Sequence, residues 1–171
     1  MPARLRAWYS LRDIESLAAR NAVMSGNIPI ENLERLSAAL ETTKGSVDFR
    51  LRFERRDAVW QKLRLEYSAA LKLVCQRCLD PVAIELCDAI DFGVLATESL
   101  ERSLPAGIEP LIVADERLSL LQLIEDELIL ALPLVPKHQD DRECRGSARL
   151  PKRQRSDDNK ALEEARNATE D

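Results

Sequence analysis

Lys62-Leu-Arg-Leu-Glu-Tyr-Ser-Ala-Ala-Leu-Lys-Leu-Val-Cys75 decides the fold, because its apolar residues recur with period two. Leu63, Leu65, Tyr67, Ala69, Leu71, Leu73 and Cys75 fall on one face, and Lys62, Arg64, Glu66, Ser68 and Lys72 on the other. Successive side chains of a strand point to opposite sides, so this pattern is a long strand with one face toward a core and one toward water. Upstream, Val47, Phe49, Leu51 and Phe53 alternate with Asp48, Arg50, Arg52 and Glu54, and Arg55-Arg56-Asp57 reads as the turn between two strands. Downstream, Cys75-Gln-Arg-Cys78, Leu79 and Asp80-Pro81 reverse the chain. Val82, Ile84, Leu86, Ile90 and Phe92 then line one face of a returning strand. The three strands make an antiparallel sheet, and Cys75 and Cys78 fall at the tip of its longest hairpin.

Outside this sheet the period changes to that of a helix. Ser119 is a candidate N-cap with Gln122 three residues on, a capping-box pattern. Leu120, Leu121, Leu123, Ile124, Leu128, Ile129 and Leu132 wrap more than one side of the helix that follows, which places it deep in the core. Pro133 and Pro136 stop it and lead to His138. Nearer the start, Asn27 as N-cap, Pro29, and Ile30, Leu33, Leu36 and Leu40 at three- and four-residue spacing predict a smaller amphipathic helix. A short helix is expected over Asp13–Arg20, a loop over Glu98–Pro110 and a short strand over Leu111–Ala114. The fold class is therefore α+β: an antiparallel β-sheet with a buried C-terminal helix (Leu120–Leu132) and a smaller helix (Pro29–Leu40).

Residues 1–145 form one domain on this reading. Residues 146–171 form a polar tail, expected to be disordered, since beyond Arg145 Leu150 and Leu162 are the only large aliphatics. Its charge comes in blocks: Arg145, Arg149, Lys152, Arg153 and Arg155 with no acid between them, then acidic from Asp157.

Composition narrows the function classes. Of 171 residues, 45% are hydrophobic and 32% charged, the balance of a folded soluble domain. No apolar run reaches the eighteen residues of a membrane span. The first ten residues contain no uninterrupted apolar stretch of a secretory signal, so a reducing, cytoplasmic setting is expected. Four cysteines there are free, metal-bound or catalytic rather than a disulfide framework. His138 is the single histidine, there are five glycines, and neither a nucleophile elbow nor a phosphate-binding glycine loop is present.

The side chains that carry chemistry are Cys75, Cys78, His138 and Cys144. Three thiols and an imidazole are a zinc ligand set. Two alternatives stand beside it: the cysteines as packing residues, and Cys75 with Cys78 as a redox pair. A redox pair would want a following helix to lower a thiol pKa, whereas Pro81 and a strand follow here. Cys87 reads as a half-buried filler. Arg50, Arg52, Lys62, Arg64 and Lys72 would share the water-facing side of the sheet, with Arg77 at its tip, a surface able to meet phosphates. Phe49, Phe53 and Tyr67 fall on the core side and Trp60 alone is left exposed, so the stacked aromatics of sheet-type RNA modules are missing. Glu125-Asp126-Glu127 cannot converge on one ion, because consecutive helical positions point about 100° apart. They read as a polar helix face, with a capping or partner role open to Glu125 or Glu127.

Two segments together resemble a known family. Val74-Cys-Gln-Arg-Cys-Leu-Asp-Pro-Val82, and Ile124-Glu-Asp-Glu-Leu-Ile-Leu-Ala-Leu-Pro-Leu-Val-Pro-Lys-His138 followed by Cys144, are similar to the YceD family of large ribosomal RNA subunit accumulation proteins. Pro29-Ile-Glu-Asn-Leu-Glu-Arg-Leu36 fits as well. The resemblance covers roughly residues 20–145. It implies a bacterial, cytoplasmic, non-enzymatic ribosome-biogenesis factor for synthesis, processing or stability of 23S ribosomal RNA. The implied partner is an rRNA precursor or an assembly protein, with no membrane and no small-molecule substrate. Family members usually end in a segment containing Asn-Pro-Phe. This chain reads Asp157-Asp-Asn-Lys-Ala-Leu-Glu-Glu-Ala-Arg166 instead.

Overall fold

A computed structural model describes residues 5–57, 59–113, 117–140 and 143–144. The expected tail, 146–171, lies outside them. The elements run α1 (Leu11–Ala19), β1 (Val23–Pro29), α2 (Glu34–Ala39), β2 (Ser46–Arg55), β3 (Gln61–Val74), β4 (Pro81–Leu95), β5 (Glu109–Ile112) and α3 (Leu120–Leu130). Short 3-10 turns cover Ile30–Asn32 and Glu98–Ser103.

The α+β class holds, with helices on a five-stranded sheet whose order is β1-β2-β3-β4-β5. The first four strands are antiparallel neighbours, and β5 adds parallel to β4 through Phe92↔Glu109 to Leu95↔Ile112, making the sheet mixed. The alternation in β2 and β3 is realised residue by residue. Val47, Phe49, Leu51 and Phe53 face Ala69, Tyr67, Leu65 and Leu63 in register, and all eight are buried. Against them pack Ile14 and Leu17 of α1, Leu36 of α2, and Leu120, Leu123, Ile124 and Leu128 of α3. The opposite sheet face carries most of the polar strand residues and, among the described residues, no helix, as one-sided antiparallel sheets do.

Three expectations change here. Asn27 is not a helix cap. It lies in β1 opposite Asp48, and its amide donates to Ser46 Oγ at 2.7 Å and Asp48 Oδ1 at 3.0 Å. The helix expected over Pro29–Leu40 splits into the 3-10 turn and the six residues of α2, because Leu33 leaves helical geometry at φ −112°, ψ 82°. Trp60 is buried at 7% exposure, so no aromatic of the strands is left free for stacking.

α3 begins as read from the sequence, with Ser119 Oγ accepting from the Gln122 N–H at 3.3 Å. Its acidic triplet does more than face water. Glu125 is buried and Oε1 accepts from the backbone N–H groups of Arg35 (2.8 Å) and Leu36 (3.1 Å), while Oε2 accepts from the Arg35 guanidinium. These are first-turn amides of α2, whose own N-cap, Leu33, has no side chain able to accept. Glu125 thus caps α2 from another helix, and Asp126 holds the same arginine at 2.6 Å. Glu127 is half-buried, and burial followed by Glu109, Asp126 and Asp88 pushes its carboxyl above the usual range.

Candidate metal centre at the hairpin tip

The β3–β4 turn is built by the Cys75–Cys78 step. Cys75 N–H donates to Asp80 O, and Leu79 N–H donates back to Cys75 O, both at 2.9 Å. Closing the loop places Leu79 at φ 64°, a left-handed conformation costing a non-glycine residue about 1 kcal/mol. Strain of this kind persists where the surroundings over-determine it, which directs attention to the two sulfurs beside it.

The second half of the site arrives from α3. Pro133 and Pro136 cannot continue the helix, and the extended segment they create is laid against the turn. Gln76 N–H donates to Pro136 O at 2.9 Å, and His138 Nε2 lies 3.1 Å from Pro81 O. A carbonyl can only accept, so Nε2 carries the proton and the Nδ1 lone pair is left for the interior of the cluster. That nitrogen is 3.5 Å from Cys78 Sγ and 3.4 Å from Cys144 Sγ, and Cys75 Sγ is 3.8 Å from Cys144 Sγ. All four donor atoms lie within 4.8 Å of one another. Cys75 and Cys144 are buried, and with Leu73 and Val82 they form a small apolar cluster apart from the main core.

The donor set fits zinc. With Zn–S of about 2.3 Å and Zn–N of about 2.0 Å, a tetrahedral site has S···S edges of about 3.8 Å and S···N edges of about 3.5 Å. The three distances above have those lengths. The histidine proton held by a backbone carbonyl is also the outer-shell arrangement that orients imidazole ligands.

The electrostatics suit a thiolate at Cys75. Burial pushes the Cys75 thiol up, but the N–H groups of Arg77, Cys78 and His138 outweigh it and bring it down to about 5. Burial, then hydrogen bonds with Cys144 and Cys75, push Cys78 up to about 11. Hydrogen bonds to Cys144 and Cys75 raise His138. Three sulfurs crowded together cannot all ionise without a cation among them. The Arg77 guanidinium supplies part of that charge, with Nε donating to Cys144 Sγ at 3.0 Å.

All four expected ligands therefore meet. Cys87 does not join them and is not a half-buried filler. It is exposed on the open sheet face, opposite Ser68. The basic residues are distributed differently from the sequence picture. Arg50, Arg52, Lys62, Arg64 and Lys72 do occupy one face, but carboxylates interleave with them. Lys62 and Arg64 pair with Asp91 at 2.8 and 3.1 Å, Arg64 also with Glu66, and Arg52 with Glu66 at 3.6 Å. Strand parity puts Asp48, Glu54, Glu66, Glu85 and Asp91 there too, so five cations meet five acids and the face is neutral overall. Among the described residues Arg50 and Lys72 make no ion pair, and both are exposed. Arg77 instead contacts the Cys75, Cys78, His138, Cys144 cluster through Cys144 Sγ. The sequence reading named Asp48, Glu54 and Glu66 at polar strand positions but left out Glu85 and Asp91, which pairing with β3 brings to the same face.

Comparison with known proteins agrees with the resemblance. Residues 63–170 match the family described as large ribosomal RNA subunit accumulation protein YceD. A protein of that name from Haemophilus influenzae is 30% identical over 134 residues, spanning 77% of this chain and 75% of the relative. No solved structure matches the chain. The matched region holds the hairpin, α3 and all four clustered ligands, and on these grounds the chain belongs to the YceD family.

Proposed function

We propose that this protein is a non-enzymatic factor for large-subunit (23S) ribosomal RNA accumulation in the cytoplasm, a binding module whose hairpin tip is stapled by one structural zinc ion. The observation that carries this reading is the closed Cys75, Cys78, His138, Cys144 set. Four protein ligands leave no open position for water or substrate, which is the arrangement of structural rather than catalytic zinc. Zinc would supply charge neutralisation of the thiolates and a cross-link between the tip and the segment after α3. A Cys-x-x-Cys redox pair is disfavoured because four donors converge and a strand, not a helix, follows Cys78.

The large-subunit role comes from the names of the relatives. Direct contact with precursor RNA would use phosphate-seeking cations, and on the sheet face those are Arg50 and Lys72. Gel retardation of a 23S precursor fragment at low salt tests this. Arg50→Glu with Lys72→Glu is expected to weaken binding about tenfold, on the order of 0.7 kcal/mol for each charge reversed, while the domain stays folded. Unchanged retardation would remove the sheet face from the account. A second reading, an adaptor for an assembly protein, is favoured by the exposed Leu79 (73%), Leu134 (100%) and Val135 (54%) near the metal centre. A pull-down that survives nuclease treatment would support that reading over RNA contact.

A further inference from the structure

β4 is 15 residues long, and β5 covers its outer edge only from Phe92 to Leu95. Which backbone groups the rest of that edge presents follows from the ladder. Glu41 N–H donates to Lys72 O, so Lys72 and the other even residues of β3 turn their backbone away from β4. The β3–β4 register is unbroken, and the β4 partners of even residues are Ala83, Glu85, Cys87 and Ala89. In an antiparallel pair these positions point N–H and C=O outward. Ala89 N–H conforms, donating to its neighbour's Asp88 Oδ1 at 2.7 Å instead of to β3. Among the described residues no strand pairs with Ala83–Ala89, an edge of about 20 Å.

Open edges are usually blunted by lysine, proline or a bulge. Residues 82–91 contain no lysine and no proline, and the register leaves no bulge. On the open side Ala83, Cys87 and Ala89 put little bulk in the way of another strand. On the helix side Ile84, Leu86 and Ile90 are only half-buried against the core, and an added strand would cover them. The charge along this edge has one sign. Glu85 lies on it, and Asp88 stands on the helix side with Glu109 and Glu127, where Glu109 and Asp88 add to burial in raising the Glu127 carboxyl. None of these four acids makes an ion pair among the described residues. A second copy added antiparallel would set acid against acid, which destabilises cross-strand pairing, whereas a cationic strand is complementary.

We propose that the β4 edge from Ala83 to Ala89 is a docking site for an extended, basic segment of a partner protein, added as a sixth strand with lysine or arginine beside Glu85 and Asp88. In strand addition the main-chain bonds give affinity, and here the acids select the sequence. Such docking requires neither RNA contact nor zinc, so it can fail while RNA retardation stands.

The test uses the full chain and a short fluorescent peptide alternating valine with lysine and arginine, beside the same peptide with glutamate at the charged positions. The native chain is expected to bind the basic peptide about tenfold more tightly than the acidic one, and binding should slow amide exchange at Ala83, Glu85 and Cys87. Cys87→Pro removes a donor that the native ladder does not use, so it should leave the domain folded and abolish binding. Glu85→Lys with Asp88→Lys leaves the backbone donors in place and should reverse the preference between the peptides. Binding of neither peptide, equal binding of both, binding unchanged by Cys87→Pro or a preference unchanged by the charge reversal each overturn the proposal. Slow exchange at the three amides in the peptide-free monomer overturns it too, by showing that the chain's own residues cover the edge. A concentration-dependent dimer with the same protection does so by making the occupant a second copy.

Discussion

Removing zinc with a strong chelator, or replacing Cys78 with serine, is expected to lower the melting temperature by about 10 °C and to loosen the hairpin tip before the main core. The magnitude follows from the length of chain the staple closes. Cys75 and Cys144 are 69 residues apart, and a cross-link of that span restricts the unfolded chain by about 4 kcal/mol in the loop-closure description. For a domain of this size 1 kcal/mol moves the midpoint by about 2–4 °C. The effect is partial because the sheet keeps its own core: Phe53, Leu63 and Leu65 are fully buried far from the sulfurs in the register. Calorimetry with and without chelator measures the shift, and hydrogen exchange would place the first loss of protection at Val74–Val82. An unchanged midpoint on chelation would mean that the small apolar cluster of Leu73, Cys75, Val82 and Cys144 holds the tip by packing alone.

Glu125→Ala should be the most damaging single change in the helical layer, costing about 3 kcal/mol. It strips acceptors from two backbone N–H groups and a guanidinium at once, and bonds to an ionised group are worth about 1.5–3 kcal/mol each before non-additivity. Leu36 N–H would then be buried without a partner. Glu125→Gln keeps an acceptor at the Oε1 position and loses the charge, so it should cost about 1 kcal/mol. Denaturant unfolding of the two variants checks the order. If alanine and glutamine cost the same, the cap contributes nothing and only the charge on Arg35 matters.

The residues legible in advance were those whose chemistry or period is unambiguous. The alternation of Leu63 to Cys75 could not be a helix, and the Cys-x-x-Cys step with a distant His138 and Cys144 is a donor set whatever the fold. β1 was hidden because Val23-Met-Ser-Gly-Asn-Ile-Pro29 has no period of two. In the structure its burial does alternate, with Met24, Gly26 and Ile28 inward, but Ile28 alone of these is buried, and pairing with β2 decides its conformation. The Asn27 and Pro29 signals for a helix start were locally sound and were overridden by that pairing. The parallel direction of β5 was unreadable since four residues carry no information about orientation. Glu125 looked like its neighbours Asp126 and Glu127. Only the position of α2 against α3 distinguishes it, as does the burial of Trp60 and the charge balance of the sheet face. These are properties of which elements meet, and no local pattern records them.

Elemental analysis of the purified, untagged full chain tests the central claim most directly, with Cys78→Ser alongside. The account predicts about one zinc per native chain and loss of it in the variant, in keeping with the four donors within 4.8 Å. Native protein without stoichiometric metal, folded and able to support ribosomal RNA accumulation, would contradict it and make the clustered thiols packing residues.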